Sequence, residues 1–143
     1  MTIRRATLLD ARALADLSGE LGYPSSEADL RARLEPLLRA EDNAVFVAID
    51  ASSRILGWIH VFVAHRVESD SFAEIGGLVV RETDRRRGIG QRLVVRAEAW
   101  AATRNVGKLR VRSRTERDGA LAFYAGLGFA AAKQQAVLDK PLR

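Results

Sequence analysis

Seven consecutive residues, Arg85-Arg86-Arg87-Gly88-Ile89-Gly90-Gln91, combine three cations with two glycines directly after an apolar run. Glycine lets a backbone approach an anion closely, and the first turn of a helix leaves several amides unpaired at the positive end of its dipole. A helix starting here would make the stretch an anion cradle, and pyrophosphate is the simplest group to fill it. Two familiar nucleotide loops do not match. A dinucleotide fingerprint needs glycine where Leu93 stands, and a P-loop needs Gly-Lys-Ser/Thr, which the chain lacks. The absence of cysteine excludes disulfides, thiolate metal sites and cysteine nucleophiles. Two histidines, His60 and His65, are too few for a multi-histidine site, so no metal is expected.

The elements that must hold this loop belong to one domain. At 143 residues and 48% hydrophobic content, the chain supports one core spanning residues 1–143. No apolar run approaches the roughly 20 residues that cross a bilayer, and Met1-Thr2-Ile3-Arg4-Arg5 leads into periodic structure without a signal-like segment. A cytoplasmic protein without a membrane partner is the expectation. Residues 81–117 hold 12 Lys/Arg against 4 Asp/Glu, whereas residues 1–80 hold 8 against 12. Basic charge gathered around the glycine loop suits a small polyphosphate better than nucleic acid, which is the less favoured partner.

Along the chain, residues 2–8 read as a strand, followed by a helix capped by Asp10, carrying Leu14, Leu17 and Leu21 and ending near Gly22. A second helix starts at Ser26, with Asp29 completing a near capping box, and Pro36 should kink or shorten it. Residues 44–49 and 55–64 form a hairpin across a polar turn. Residues 72–80 read as a buried strand whose Gly76-Gly77 pair signals a bulge or a close backbone approach. A third helix runs from the loop to about residue 103, with Ile89, Leu93, Ala97 and Ala101 on its buried face. A strand at residues 108–113, a helix capped by Asp118 and ended by Gly128, and one or two closing strands in residues 129–142 complete a mixed α/β fold.

Arg85-x-x-Gly88-x-Gly90, between a buried strand and a helix, resembles the acetyl-CoA signature of the GNAT superfamily of N-acetyltransferases. Phe123-Tyr124, followed by Gly128-Phe129, resembles the family's second hallmark, and the element order is similar over essentially the whole chain. The segment Glu20-Leu21-Gly22-Tyr23-Pro24 resembles small stand-alone bacterial members of the superfamily, some grouped with aminoglycoside-modifying acetyltransferases. The family resemblance implies a GNAT fold: a six- or seven-stranded mixed sheet, splayed between its fourth and fifth strands, with four helices on its two faces. It further implies that the pantetheine arm of acetyl-CoA lies along the backbone of Leu78, Val79 and Val80 like an added strand. The amides of residues 86–91 would hold the pyrophosphate, while Arg85, Arg86, Arg87 and Arg117 neutralise phosphate charge. Ser113 would reach pantetheine. Arg117 stands where relatives frequently carry asparagine.

By the same resemblance Tyr124 is the general acid that protonates the departing thiolate, and Glu74, in the string Phe72-Ala73-Glu74-Ile75, is the general base. A carboxylate set among Phe72, Ile75 and Leu78 could take the amine's proton directly or through water, and His60 and His65 are alternative bases. Without cysteine an acyl-cysteine route is excluded, and direct attack of the amine on acetyl-CoA in a ternary complex is the natural mechanism, with the Val79 amide polarising the acetyl carbonyl. The acidic first half, including Glu20, Tyr23, Glu27, Asp29, Glu68 and Asp70, favours a small cationic amine as acceptor. A protein lysine or N-terminal amine is the second acceptor class. A non-catalytic acetyl-CoA-binding module is the rival function, and exposed strand edges make a homodimer plausible.

Overall fold

Runs rich in β-branched and aromatic residues favour extended chain. In the computed structural model, which describes residues 1–113 and 119–143, such runs supply the sheet: β1 (Thr2–Arg5), β2 (Asn43–Ile49), β3 (Ile55–Ala64), β4 (Phe72–Val80) and β5 (Leu109–Val111). The helices are α1 (Ala11–Leu21), α2 (Glu27–Arg39), α3 (Ile89–Ala102) and α4 (Ala120–Gly126). The chain divides into two compact units, Met1–Arg112 and Ser113–Arg143, the first holding the sheet and α1 to α3 and the second holding α4. Among the described residues no helix is long and apolar enough to cross a membrane.

The sheet has the order β1-β2-β3-β4-β5, antiparallel throughout except for the parallel β4–β5 pair. Asp50 sets the β2–β3 hairpin. Its carboxylate accepts hydrogen bonds from the amides of Ser52 and Arg54, while Ser53 takes a left-handed φ of 64°. Side chains alternate between the faces of a strand. Val45, Val47 and Val79 pack with Leu14 and Leu17 of α1 and Leu34 of α2. The intervening Phe46 turns to the other face, where Arg96 of α3 stacks on it at 4.4 Å. Thus α1 and α2 cover one face and α3 the other.

Three local expectations need correction. Asp10 does not cap α1 through its side chain. It instead accepts from the Thr7 amide at 2.8 Å and pairs with Arg4 at 2.8 Å, closing a capping box around a 3₁₀ turn that ends β1 at Arg5. Helix α2 is capped by Ser26, whose hydroxyl accepts from the Asp29 amide, but it runs through Pro36 to Arg39. The proline sits in the last turn and so truncates little of the helix. Finally, the sheet has five strands, not six or seven: residues 129–143 form none, and Val137, Leu138 and Leu142 are exposed. Three consecutive alanines, the Lys133-Gln134-Gln135 run and Pro141 give this segment weak strand propensity.

In the second unit, Gly128 ends α4 in a left-handed conformation (φ 94°). The Gly128 amide donates to Ala125 and the Phe129 amide donates to Tyr124, which is the Schellman pattern. The expected cap Asp118 lies outside the described residues.

Candidate active site

The glycine loop is held from below by a buried carboxylate. Asp84, 6% exposed, accepts hydrogen bonds from Arg54, Arg87 and Thr83, fixing the 3₁₀ turn Glu82–Asp84 between β4 and the loop. The chain then takes two left-handed steps, Arg86 at φ 65° and Gly88 at φ 77°, before α3 begins. A Cβ on Gly88 would meet nothing within 4 Å, so glycine is there for its backbone angle rather than for space. The first bond of the helical ladder is Arg92 N–H to the Gly88 carbonyl, and the amides of residues 86–91 have no acceptor among the described residues. Six unpaired donors at a helix N-terminus are the kind of group that can accept an anion.

The three arginines differ in role. Arg85 donates Nε to the Val80 carbonyl at 3.1 Å, and Arg87 pairs with Asp84 at 3.1 Å. Arg86 is exposed and has no partner among the described residues. Two cations therefore brace the loop while Arg86 stays available to a ligand.

Beside the loop, β4 and β5 pair only at Ala73, Glu74 and Ile75. Among the described residues β4 then continues to Val80 without a neighbour on that edge. The departure coincides with a bulge. His60 pairs with Gly77 and Val61 with Ile75, leaving Gly76 as the extra residue, as the glycine pair suggested. The register also decides which backbone groups are open. The Arg81 amide donates to Leu56 of β3, and the Val79 carbonyl faces Gly57 of β3. Alternation therefore turns Val79 inward and Leu78 and Val80 outward, consistent with the Val80 carbonyl receiving Arg85. The amide expected at Val79 is thus committed to the sheet, and those of Leu78 and Val80 line the free edge.

Glu74 lies on β4 and is 9% exposed, but its surroundings are not purely apolar. The Nε of Arg112, just beyond β5, donates to both carboxylate oxygens at 3.3 Å. His60 lies on the same side of the sheet, since Glu74 faces Phe62, two residues along β3. Its Nε2 is 2.8 Å from Asn43 Oδ1, and burial lowers its pKa from the ordinary 6.5. His65 is exposed and bonds Ser71 and Asp42.

Of the acidic residues expected to meet the acceptor, Glu20 braces the fold instead, accepting from the Glu82 amide at 2.9 Å and lying 3.9 Å from Arg81. Tyr23, Glu27, Asp29, Glu68 and Asp70 are exposed. Ser113 is half-buried, and Arg117 lies outside the described residues. In the second unit, Tyr124 is half-buried, and Phe123 and Phe129 meet its ring edge-on at 5.0 and 5.4 Å. The Gly-Phe half of the hallmark thus acts locally: Gly128 turns the chain so that Phe129 closes on Tyr124. Sequence reasoning missed Arg112, Asn43 and Asp84, whose partners are distant along the chain.

A mixed sheet splayed at a bulge, with an open amide loop at the next helix, defines a class of α/β protein in which a free strand edge leads to a row of unpaired helix-N-terminal donors. Residues 11–129 match the acetyltransferase (GNAT) family model, and the chain belongs to that family. No curated protein sequence matches it. Among solved structures it is similar to the aminoglycoside 6′-N-acetyltransferase AAC(6′)-IG of Acinetobacter haemolyticus, at 18% identity, with all of both chains covered and a TM-score of 0.86. It is also similar to the aminoglycoside N-acetyltransferase AAC(6′)-Iy in complex with CoA (19% identity, 98% of this chain and 99% of that one, TM-score 0.83). A transcriptional regulator from Bacillus halodurans C-125 is a third (23% identity, 97% and 99%, TM-score 0.85).

Proposed function

We propose that the protein transfers the acetyl group of acetyl-CoA directly to the primary amine of a small cationic acceptor. The observation that carries this is the continuity of two donor sets: the outward amides of Leu78 and Val80, and the six unpaired amides of residues 86–91. The first set suits an amide-bearing arm laid along a strand, the second a pyrophosphate, and Arg86 adds charge. The Leu78 amide, nearer the bulge, is the group that would polarise the acetyl carbonyl and stabilise the developing oxyanion. Tyr124, carried over from the family's Phe-Tyr hallmark, protonates the CoA thiolate as the tetrahedral intermediate collapses. Glu74 receives the acceptor's ammonium group and assists its deprotonation, with Arg112 holding the carboxylate in place.

The acceptor class follows from charge. The first 80 residues carry 12 acidic against 8 basic side chains, with Tyr23, Glu27, Asp29, Glu68 and Asp70 exposed. Aminoglycoside acetyltransferases among the neighbours agree with a polyamine-like or aminosugar acceptor. The likeness to a transcriptional regulator favours, as a second reading, acetyl-CoA binding without turnover. Thiol release from acetyl-CoA against a panel of polyamines, aminoglycosides and lysine peptides separates the two, since binding without release of free CoA overturns catalysis. In the active pair, Tyr124→Phe should lower kcat by at least about tenfold with acetyl-CoA affinity retained. Full turnover in that variant removes Tyr124 from the chemistry.

A further inference from the structure

The bulge in β4 is occupied on one side by an imidazole. A Cβ built on Gly76 would lie 2.6 Å from His60 Nδ1 and 3.1 Å from Cε1, so glycine is needed there for the ring to sit where it does. The far nitrogen is fixed by Asn43. With the side-chain oxygen of Asn43 as acceptor at 2.8 Å, Nε2 carries the hydrogen and Nδ1 presents its lone pair at the bulge. Gly76 itself is exposed and marks the point where β4 parts from β5. A neutral, oriented imidazole thus borders the place where the acceptor and the acetyl carbonyl would meet.

Burial alone lowers the pKa of His60, and no charged side chain among the described residues contributes to that shift. The charged groups on the neighbouring elements are Glu74 of β4 and Arg112 beyond β5, which pair with each other, and Asp42 beside Asn43, which pairs with His65. The residues of α1 and α2 in the core cluster on this face are all leucines apart from Ala13.

Building on the acetyl-transfer reaction proposed above, we propose that His60 Nδ1 accepts the proton released by the attacking amine, through one water, and that Asn43 is the positioning residue that holds its tautomer. As the amine nitrogen bonds to the acetyl carbon, the carbonyl electron pair moves to oxygen and the nitrogen becomes acidic enough to give its proton through water to neutral imidazole. Collapse of the intermediate breaks the C–S bond, the thiolate takes the Tyr124 proton, the imidazolium returns its own to solvent, and the tyrosinate regains a proton from solvent. Before the attack, the ammonium group docks at Glu74, braced by Arg112, and releases one proton to solvent, since only the neutral amine carries the lone pair that attacks.

The test is kcat against pH for the wild type, His60→Gln and Asn43→Asp, with His60 titrated in parallel by NMR. Only neutral imidazole accepts a proton, so the wild-type rate should fall as pH drops through the lowered His60 pKa. Asn43→Asp places a carboxylate at Nε2, favours imidazolium, and should move both the NMR titration and the acid limb of kcat to higher pH by about one unit or more. His60→Gln should abolish that limb and reduce kcat at least about tenfold, with acetyl-CoA affinity unchanged. The acceptor's own ionisation is common to all three proteins and cancels in the comparison. An acid limb that stays in place while the NMR titration moves, or full kcat in His60→Gln, overturns the assignment of His60 alone. A wild type that releases no CoA with any amine overturns the parent reaction and this proposal with it.

Discussion

Adding one methyl group at Gly76 should be among the more damaging small changes in this sheet. Its Cβ would sit 2.6 Å from His60 Nδ1, about 0.8 Å inside the 3.4 Å at which ordinary contact begins, and 3.3 Å from Phe62 Cε1. The ring cannot yield cheaply, because Asn43 holds its other nitrogen at 2.8 Å. Overpacking of this kind costs about 1–3 kcal/mol, and displacing the histidine from Asn43 costs roughly 1 more. For a chain of this size Gly76→Ala should lower Tm by roughly 5–15 °C. Gly19→Ala in α1 is the matched control: its Cβ meets nothing within 4 Å, so better helix propensity should stabilise by about 0.5–1 kcal/mol. Calorimetry or urea unfolding reads both signs. The decisive measurement is the double-mutant cycle with His60→Ala, which deletes the ring that clashes. In that background Gly76→Ala should recover most of its loss. Additive losses, or a neutral Gly76→Ala in the wild-type background, would refute the claim that His60 packing imposes glycine at the bulge.

Gly88→Ala tests the loop without any steric clash. The left-handed φ of 77° with open space beyond should cost about 1–2 kcal/mol by urea unfolding, and relaxation of the turn should weaken acetyl-CoA binding by calorimetry; Gly88→Asn should lose less on both counts. Asp10 predicts an acid limb of stability. Burial pushes its carboxyl up, but hydrogen bonds from Arg4 and the Thr7 amide, together with the Arg4 charge, outweigh this and hold it below its ordinary 3.8. Its stabilisation is therefore complete above pH 3.8 and lost as pH falls through the lower folded value. Asp10→Asn should be less stable than wild type at about pH 7 and approach it near pH 2; an equal gap at both pH values would count against the ion pair.

The local parts of the site were legible in the residues alone. Glycine at 88 and 90 after three arginines, opening an apolar period of three and four, specifies a loop and a helix start through backbone angles that neighbours set among themselves. The Gly76-Gly77 pair announced the bulge for the same reason, and Phe-Tyr before Gly-Phe is a helix end whose contacts are local. The tertiary structure decided whatever depends on register or distant pairing. Val79 faces inward because β4 is locked to β3 through Arg81 and Leu56, and one step of register would reverse it. Arg112 reaches Glu74 from 38 residues away and Asn43 reaches His60 across 17, so the ion pair and the tautomer at the bulge exist only once the sheet has formed. The closing strands failed as an expectation because strand propensity is weak without a partner edge. Local sequence can set φ and period, but it cannot by itself supply the neighbouring chain that a ladder requires.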